Sequence, residues 1–179
     1  MADIGGYALV NPRRPALGRA VRPVPRGVAF HTPLGALVAL ASDKGICRVS
    51  FDIEDLAGAE QQPDANLDLL AIWLDAYFKG RFKQLPDVPL DLPTTPSTPV
   101  WQKTRSIPVG TRWTYGELAR KLGRSEGSAR AIGAAMSANP VLLLVPCHRV
   151  VAQSGSLAGY SGGVQRKAWL LKHEGALLL

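Results

Sequence analysis

The sequence has few cysteines and no long apolar run, and both absences exclude whole classes of protein. Two cysteines, Cys47 and Cys147, are too few for a disulfide framework or a four-cysteine zinc site. No apolar run approaches the roughly 20 residues of a membrane-spanning helix. With 46% apolar and 20% charged residues among 179, the composition is that of an ordinary globular protein. We therefore expect a soluble, cytoplasmic protein with no membrane partner.

Acidic residues are scarce in the last part of the chain. Residues 101–179 hold eleven Lys and Arg against three Asp and Glu, whereas residues 31–100 hold five against ten. The formal charge of the whole chain is +7. A basic part beside an acidic one is typical of a protein that binds a polyanion such as nucleic acid. A solvated basic face without a partner has the same composition, so the charge alone leaves both interpretations open.

The first half divides into an arm and a β-rich part. Residues 1–30 are rich in Arg and Pro without apolar periodicity, which predicts a flexible arm; no secretory signal is expected there, and an organelle presequence stays open. Two β-prone runs, 34–41 and 46–51, flank a turn, and 67–78 has helical apolar spacing. Five prolines between 86 and 99 mark a connector. We expect one domain over 31–95 and a second over 96–179.

The second half has the spacing of a helix-turn-helix. Residues 114–117, Thr-Tyr-Gly-Glu, fit a capping box at a helix start, and Gly123 can end that helix. After a short turn, Ser125 can cap a second helix, which Asn139 and Pro140 stop. Two helices joined by so short a turn are typical of this DNA-binding motif.

The predicted second helix has an unusual composition. Within 128–135, only Arg130 and Ile132 have side chains larger than serine. Small side chains let a helix backbone come close to another molecule or element, while Gly133 costs about 1 kcal/mol of helix stability relative to alanine. The helix therefore either packs tightly against its neighbour or enters a DNA groove with one arginine projecting.

A cysteine follows a short apolar run. Residues 141–145 predict a buried strand that Pro146 ends, so Cys147 lies at a turn where the chain leaves the core. His148 and Arg149 place polarity or positive charge beside the sulfur, which predicts a lowered pKa for the thiol. Because adjacent side chains diverge in extended backbone, a water between Cys147 and His148 is the favoured link.

A glycine-rich loop and a carboxylate complete the pattern. Residues 155–163 contain four glycines around Tyr160 and Ser161, which predicts a loop that closes over a substrate. Val164, Ala168 and Leu171 then mark a helix that ends in 172–175. Glu174 lies at its C-terminus, where a carboxylate opposes the macrodipole, so it either orients an imidazole or is an exposed residue of little cost. Cysteine, histidine and glutamate together can activate a thiol nucleophile. These residues alone allow a thiol hydrolase, a thiol transferase or an inert binding protein.

Several motifs together resemble the methylated-DNA–protein-cysteine methyltransferases, which repair O6-alkylguanine. The resemblance is close over 100–175 and weaker over 31–95. It is carried by the signature Pro-Cys-His-Arg-Val at 146–150 and by segments 114–119, 128–133, 139–140, 159–163 and 170–175. It implies an α+β fold, with a small N-terminal antiparallel β-sheet domain that contains a helix and is ribonuclease H-like. It also implies a mainly helical, winged-helix-like C-terminal domain with the helix-turn-helix.

The resemblance implies a single-turnover repair reaction on double-stranded DNA. Cys147 would take the alkyl group from O6 of a flipped guanine, or from O4 of alkylthymine, and keep it. His148, acting through water, would accept the thiol proton, Glu174 would hold the imidazole and Asn139 would brace the turn before the site. Tyr115 would push the target nucleotide out of the duplex and help to protonate the departing guanine.

The same resemblance implies the DNA contacts and the base pocket. Arg130 would fill the gap left in the duplex. The recognition helix would approach the DNA at Ala129, Ala131 and Gly133, and the base pocket would be lined by Met136, Val150, Tyr160 and Ser161. We expect a monomer without metal or cofactor, and Cys47 in the core.

The chain departs from the family at three positions, Pro96, Thr104 and Leu142. A rival class of relatives binds alkyl lesions without removing them and recruits other repair factors. Those proteins typically lack the reactive cysteine, whereas this chain keeps Cys147. We therefore favour the alkyl-transferring enzyme.

Overall fold

The structure, a computed structural model, describes residues 24–157 and 159–176. Over these ranges it contains five helices and two sheets, which confirms the predicted α+β class, and no helix there is long and apolar enough to cross a membrane. Most of the predicted arm, residues 1–23, lies outside the described residues. The arm prediction is wrong for 26–30, because these residues belong to the first strand.

A three-stranded antiparallel sheet in the order β1-β2-β3 forms the N-terminal part. The strands are β1, Arg26–Thr32, β2, Gly35–Ser42, and β3, Gly45–Ser50, and the last two confirm the predicted runs. The turn between β2 and β3 requires glycine. Gly45 has a φ of 144°, and a Cβ at this position would lie 2.5 Å from the carbonyl oxygen of Pro89.

Helix α1, Ala65–Phe78, packs against the sheet and confirms the predicted helical spacing. It begins where the Asp64 carboxylate accepts the N–H groups of Asn66 and Leu67. Tyr77, at the other end, is fully buried and stacks on Trp73. This end of α1 faces the C-terminal part of the chain, where the Tyr77 ring meets that of His173.

Four helices and a short parallel strand pair form the C-terminal part. The helices are α2, Thr98–Arg105, α3, Tyr115–Lys121, α4, Ala129–Ser137, and α5, Val164–His173. The strands are β4, Trp113–Thr114, and β5, Val150–Val151. The sequence does not predict α2, which begins inside the proline-rich connector. Pro99 fits there because the first helical turn makes no use of the missing N–H.

Helices α3 and α4 pack against each other and confirm the helix-turn-helix spacing. The capping box is present, since Thr114 and Glu117 exchange side-chain and backbone hydrogen bonds. The predicted cap at Ser125 is wrong. A turn of 3-10 helix occupies 126–128, so α4 begins three residues later behind Ser128, and the Ser125 and Ser128 hydroxyls lie 3.5 Å apart.

The apolar run 141–145 is buried but is not the predicted strand. Only Val141 forms a bridge, with Val49, and the chain then turns, with Leu143 at a φ of 69°. The Val145 N–H donates back to the Val141 carbonyl at 3.0 Å. Apolar character marks burial in a turn as well as in a strand, so this pattern cannot tell the two apart.

Candidate active site

Cys147 begins one turn of 3-10 helix, 147–149, directly after the buried turn. The residue is 4% exposed, and the Asn139 amide nitrogen donates to its sulfur at 3.0 Å. Burial raises the pKa of the Cys147 thiol to about 11, although the hydrogen bond from Asn139 opposes the rise. The predicted lowering of this pKa by His148 and Arg149 is wrong, because both side chains bind Glu174 and the sulfur is desolvated.

Asn139 uses all its side-chain polar atoms in this turn. Its Nδ2 donates to the Val145 carbonyl at 2.9 Å as well as to Cys147, and its Oδ1 accepts the Val141 N–H at 3.0 Å. Its own N–H donates to the Met136 carbonyl at 3.3 Å. The Asn139 side chain therefore holds the turn and contacts the thiol. Because Asn139 lies two residues after the end of α4, it also ties this helix to the site.

The Glu174 carboxylate accepts four hydrogen bonds at the C-terminal end of α5. Its Oε1 accepts from His148 Nε2 and Arg149 Nη2 at 2.9 Å each and from the Tyr77 hydroxyl at 2.5 Å, and its Oε2 accepts from Arg149 Nε at 2.9 Å. Burial alone would raise the pKa of Glu174, but the bonds from His148 and Arg149 outweigh it and hold the pKa far below its usual range. Glu174 is therefore charged at neutral pH, balanced by Arg149.

The two ring nitrogens of His148 have different surroundings. Nε2 binds the Glu174 carboxylate, whereas Nδ1 is buried and has no hydrogen-bond partner within the described part of the chain. Because an ionised carboxylate only accepts, Nε2 carries the proton and Nδ1 the lone pair. Burial lowers the pKa of His148, which favours this neutral form. Nδ1 is consequently a free base within the site.

Two buried basic residues, Arg149 and Lys167, complete the site. Arg149 clamps Glu174 and donates to the Ile107 carbonyl at 2.6 Å. Lys167 Nζ donates to the Val150 carbonyl at 2.7 Å, and its charge lowers the pKa of the thiol against the effect of burial. The sequence signals Arg149 only by its place in 146–150, and it gives no signal for Tyr77 or Lys167 as site residues.

Helix α4 turns a face of small side chains to solvent. Arg130 and Ala131 are exposed, and Ala129 and Gly133 are partly exposed. A Cβ at Gly133 would meet nothing within 4 Å, so packing inside the chain does not require this glycine. The buried residues are Ile132, Ala135 and Met136. The tight-packing interpretation of the small residues therefore does not apply to the exposed face.

Residues 159–161 of the glycine-rich loop lie beside Tyr115 and His148. A Cβ at Gly159 would lie 3.4 Å from the hydroxyl of Tyr115, which begins α3 and is half-buried. Tyr160 is buried, its ring is edge-on to that of His148 with centroids 6.3 Å apart, and its hydroxyl has no partner among the described residues. Ser161 is exposed and borders a cavity of about 470 Å³. Burial raises the pKa of Tyr115 and of Tyr160, and both lie close enough to Cys147 for the negative charge of its thiolate to raise their pKa further.

The remaining predicted positions are distributed around this centre. Val150 and Met136 are both buried, and the Met136 sulfur lies 3.8 Å from the hydroxyl of Thr104. The described ranges hold no group of three or more His, Cys, Asp or Glu that could bind a metal ion. Cys47 is only partly buried, and its thiol donates to the Leu40 carbonyl at 3.4 Å, so its placement in the core is wrong.

The three departures from the family are accommodated without disruption. Thr104 is fully buried, and its hydroxyl donates to the Val100 carbonyl at 2.8 Å. Leu142 is buried in the turn before the site, and Pro96 is exposed. None of the three leaves a buried polar atom without a partner within the described residues.

Comparison with known proteins gives matches over both parts of the chain. Residues 96–176 match the family described as 6-O-methylguanine DNA methyltransferase, DNA binding domain, and residues 28–92 match its ribonuclease-like domain. The chain is 48% identical over 123 residues to the methylated-DNA--protein-cysteine methyltransferase of Salmonella typhimurium, covering 68% of this chain and 71% of that protein. It is 35% identical over 156 residues to the protein of the same name from Methanosarcina acetivorans, covering 82% and 96%.

A solved structure agrees with these sequence matches. The crystal structure of Mycobacterium tuberculosis OGT in complex with DNA is similar with a TM-score of 0.74 and 35% identity, covering 84% of this chain and 93% of that one. The similarity therefore extends over both the N-terminal sheet and the helical C-terminal part that contains Cys147. The chain belongs to the family of methylated-DNA–protein-cysteine methyltransferases.

Proposed function

We propose that this protein repairs double-stranded DNA by moving the alkyl group of O6-alkylguanine, or of O4-alkylthymine, irreversibly onto Cys147. The observation that carries the proposal is the buried set of Cys147, His148 and Glu174. It contains a nucleophile and, at the next residue, a neutral imidazole whose free Nδ1 can take a proton. A protein that only binds lesions needs no such proton acceptor, so the buried set favours the enzyme.

The first step is the loss of the thiol proton. It passes from Cys147 to His148 Nδ1, through a water molecule, and the resulting imidazolium is stabilised by the charged Glu174 that accepts from Nε2. The thiolate is stabilised by the Asn139 amide and by the positive charge of Lys167. At rest both groups are neutral, so the thiolate is a minor species that proton transfer from Cys147 to His148 supplies.

The second step is an in-line displacement at the alkyl carbon. The sulfur–carbon bond forms while the bond from that carbon to guanine O6 breaks, and the electron pair of the broken bond stays with the base. A proton from the Tyr115 hydroxyl reaches the departing guanine, and the proton held by His148 then restores that hydroxyl. The product on Cys147 is a thioether, which none of the neighbouring side chains can cleave, so each protein molecule acts once.

The DNA is bound through the helix-turn-helix. A base inside the duplex is beyond reach of a buried thiol, so the damaged nucleotide must flip out, at a cost of a few kcal/mol. Arg130 enters the gap, and the small residues Ala129, Ala131 and Gly133 allow the backbone of α4 to approach the groove. The flipped base lies among Met136, Val150, Tyr160 and Ser161. The protein acts as a cytoplasmic monomer, with a sheet domain over 26–95, which includes all of β1, and a DNA-binding domain over 96–179.

The experiment is to follow the lesion itself. A duplex with one O6-methylguanine is mixed with excess protein, digested to nucleosides and assayed for loss of O6-methylguanine. The wild type and Cys47→Ser should convert the lesion to guanine, whereas Cys147→Ser should leave it intact. Lesion-selective binding with no conversion by the wild type would instead establish a binding protein.

A further inference from the structure

The Arg166 side chain joins three separate segments of the chain. Its Nε donates to the Leu34 carbonyl at 2.9 Å, its Nη1 donates to the Gly162 carbonyl at 3.0 Å, and its guanidinium lies 4.2 Å from the centre of the Phe51 ring. Leu34 lies in the turn between β1 and β2, and Phe51 follows β3. A residue of α5 thus links the N-terminal sheet to the glycine-rich loop.

The loop has no free space at the point where Arg166 holds it. A Cβ at Gly162 would lie 2.4 Å from Cε1 of Tyr160 and 3.2 Å from Cε2 of Phe51. The rings of Tyr160 and Phe51 therefore both pack against Gly162 where a side chain would project. Because Arg166 stacks on Phe51 and binds the Gly162 carbonyl, its position fixes that of the Tyr160 ring.

From this contact set we infer that Arg166 is a positioning residue for alkyl transfer, which holds the Tyr160–Ser161 wall of the base pocket against the N-terminal sheet. The inference rests on the proposed function, since it assigns this wall to the flipped base. Arg166 and Ser161 border the same cavity of about 470 Å³ between Phe51, Asn139 and Leu142. A guanidinium suits this place because one planar group donates in two directions and stacks on a ring, which an ammonium cannot do at once.

The role is specific to reactions that use the base pocket. A misplaced wall leaves the flipped base badly aligned with Cys147, and small errors of alignment slow a displacement strongly. A small methyl donor without a base, such as methyl iodide, reaches the sulfur without that wall. Its reaction forms the sulfur–carbon bond as the carbon–iodine bond breaks, and it needs only the thiolate.

The test compares these two reactions in the full-length protein. Arg166→Met keeps the aliphatic stem and removes the guanidinium, and Lys172→Met removes one charge from an exposed position of the same helix. With an O6-methylguanine duplex, single-turnover transfer should be about 10-fold slower in Arg166→Met than in Lys172→Met. Methylation of Cys147 by methyl iodide should agree within twofold, and Arg166→Lys should recover part of the rate.

A double-mutant cycle tests the route through Phe51. Phe51→Leu should slow duplex repair, and the double variant should be slower than the wild type by less than the product of the two single effects. Equal duplex rates for Arg166→Met and Lys172→Met would overturn the inference, as would equal losses in the duplex and methyl iodide reactions. If the wild type transfers nothing to Cys147, the proposed function fails, which is a different outcome from either.

Discussion

The Asn139 amide offers the sharpest test of how a buried thiol becomes reactive. Asn139→Ala removes the donor to Cys147 and leaves the buried Val141 N–H without its acceptor. A hydrogen bond to a charged acceptor contributes about 1.5–3 kcal/mol, and each 1.36 kcal/mol is tenfold in a proton equilibrium. The thiolate population, and with it the rate of methyl transfer, should therefore fall about 10- to 100-fold.

Asn139→Ala should also lower the free energy of unfolding, but by less than the total for the fold. One orphaned N–H together with the lost bonds amounts to about 2–4 kcal/mol, against the roughly 5–15 kcal/mol of an ordinary domain. The measurement combines urea unfolding with rapid-quench single-turnover transfer from an O6-methylguanine duplex. We expect Asn139→Ala to stay folded and to react slowly.

Asn139→Asp separates bracing of the turn from stabilisation of the thiolate. Aspartate keeps an oxygen for the Val141 N–H, so it should recover part of the lost stability. It removes the donor and adds a negative charge beside the sulfur, so its transfer rate should be lower than that of Asn139→Ala. A transfer rate for Asn139→Asp equal to that of the wild type would refute the reasoning.

Four other predictions follow from the same site. Burial lowers the pKa of His148, so the transfer rate should stay constant on acidification to below about pH 6.5 and then fall as Nδ1 gains a proton; a decline that starts above pH 7 in a pH–rate profile would argue against a neutral His148 at rest. The pKa of Glu174 is lowered in the folded state, so its contribution to stability should be complete above about pH 4.5 and lost below it, and urea midpoints that do not drop in acid would contradict this. Glu174→Gln should lower the free energy of unfolding by about 3–5 kcal/mol, because it leaves the buried Arg149 cation without a counter-charge; a loss below 1 kcal/mol in urea would be inconsistent. Arg130→Ala should change stability by no more than about 0.5 kcal/mol and slow repair of a duplex but not of the free base O6-methylguanine, and equal slowing of both would remove Arg130 from the DNA interface.

Local signals predict α1 and α3 well because the causes of these two helices are local. The capping box of Thr114 and Glu117 and the spacing of α1 depend on residues within a few positions of each other. Local sequence does not predict strand β1, because arginine and proline flank its short apolar centre and its stability comes from pairing with β2. Local sequence does not predict the turn at 141–145 either, because the Asn139 side chain holds this turn and the apolar residues do not specify it.

Local sequence likewise predicts some residues of the active site and not others. Cys147, His148 and Asn139 lie close together in the chain, and their types point to thiol chemistry. Tyr77 lies 97 residues from the Glu174 carboxylate that it binds, so no local pattern shows the pair. The direction in which the pKa of Cys147 shifts also depends on the fold, because the shift follows from burial of the sulfur and not from the basic residues beside it in the sequence. Arg149 lies only two residues after Cys147 in the sequence, but its guanidinium forms an ion pair with Glu174.

The central claim is that Cys147 accepts the alkyl group and keeps it. Its most direct test is intact-protein mass spectrometry after incubation with excess duplex that contains one O6-methylguanine, followed by peptide mapping, with Cys147→Ser alongside. We predict a gain of one methyl group per chain on Cys147, with no second gain over time and none in the variant. An unchanged mass, or a methyl group on Cys47 instead, would contradict the account.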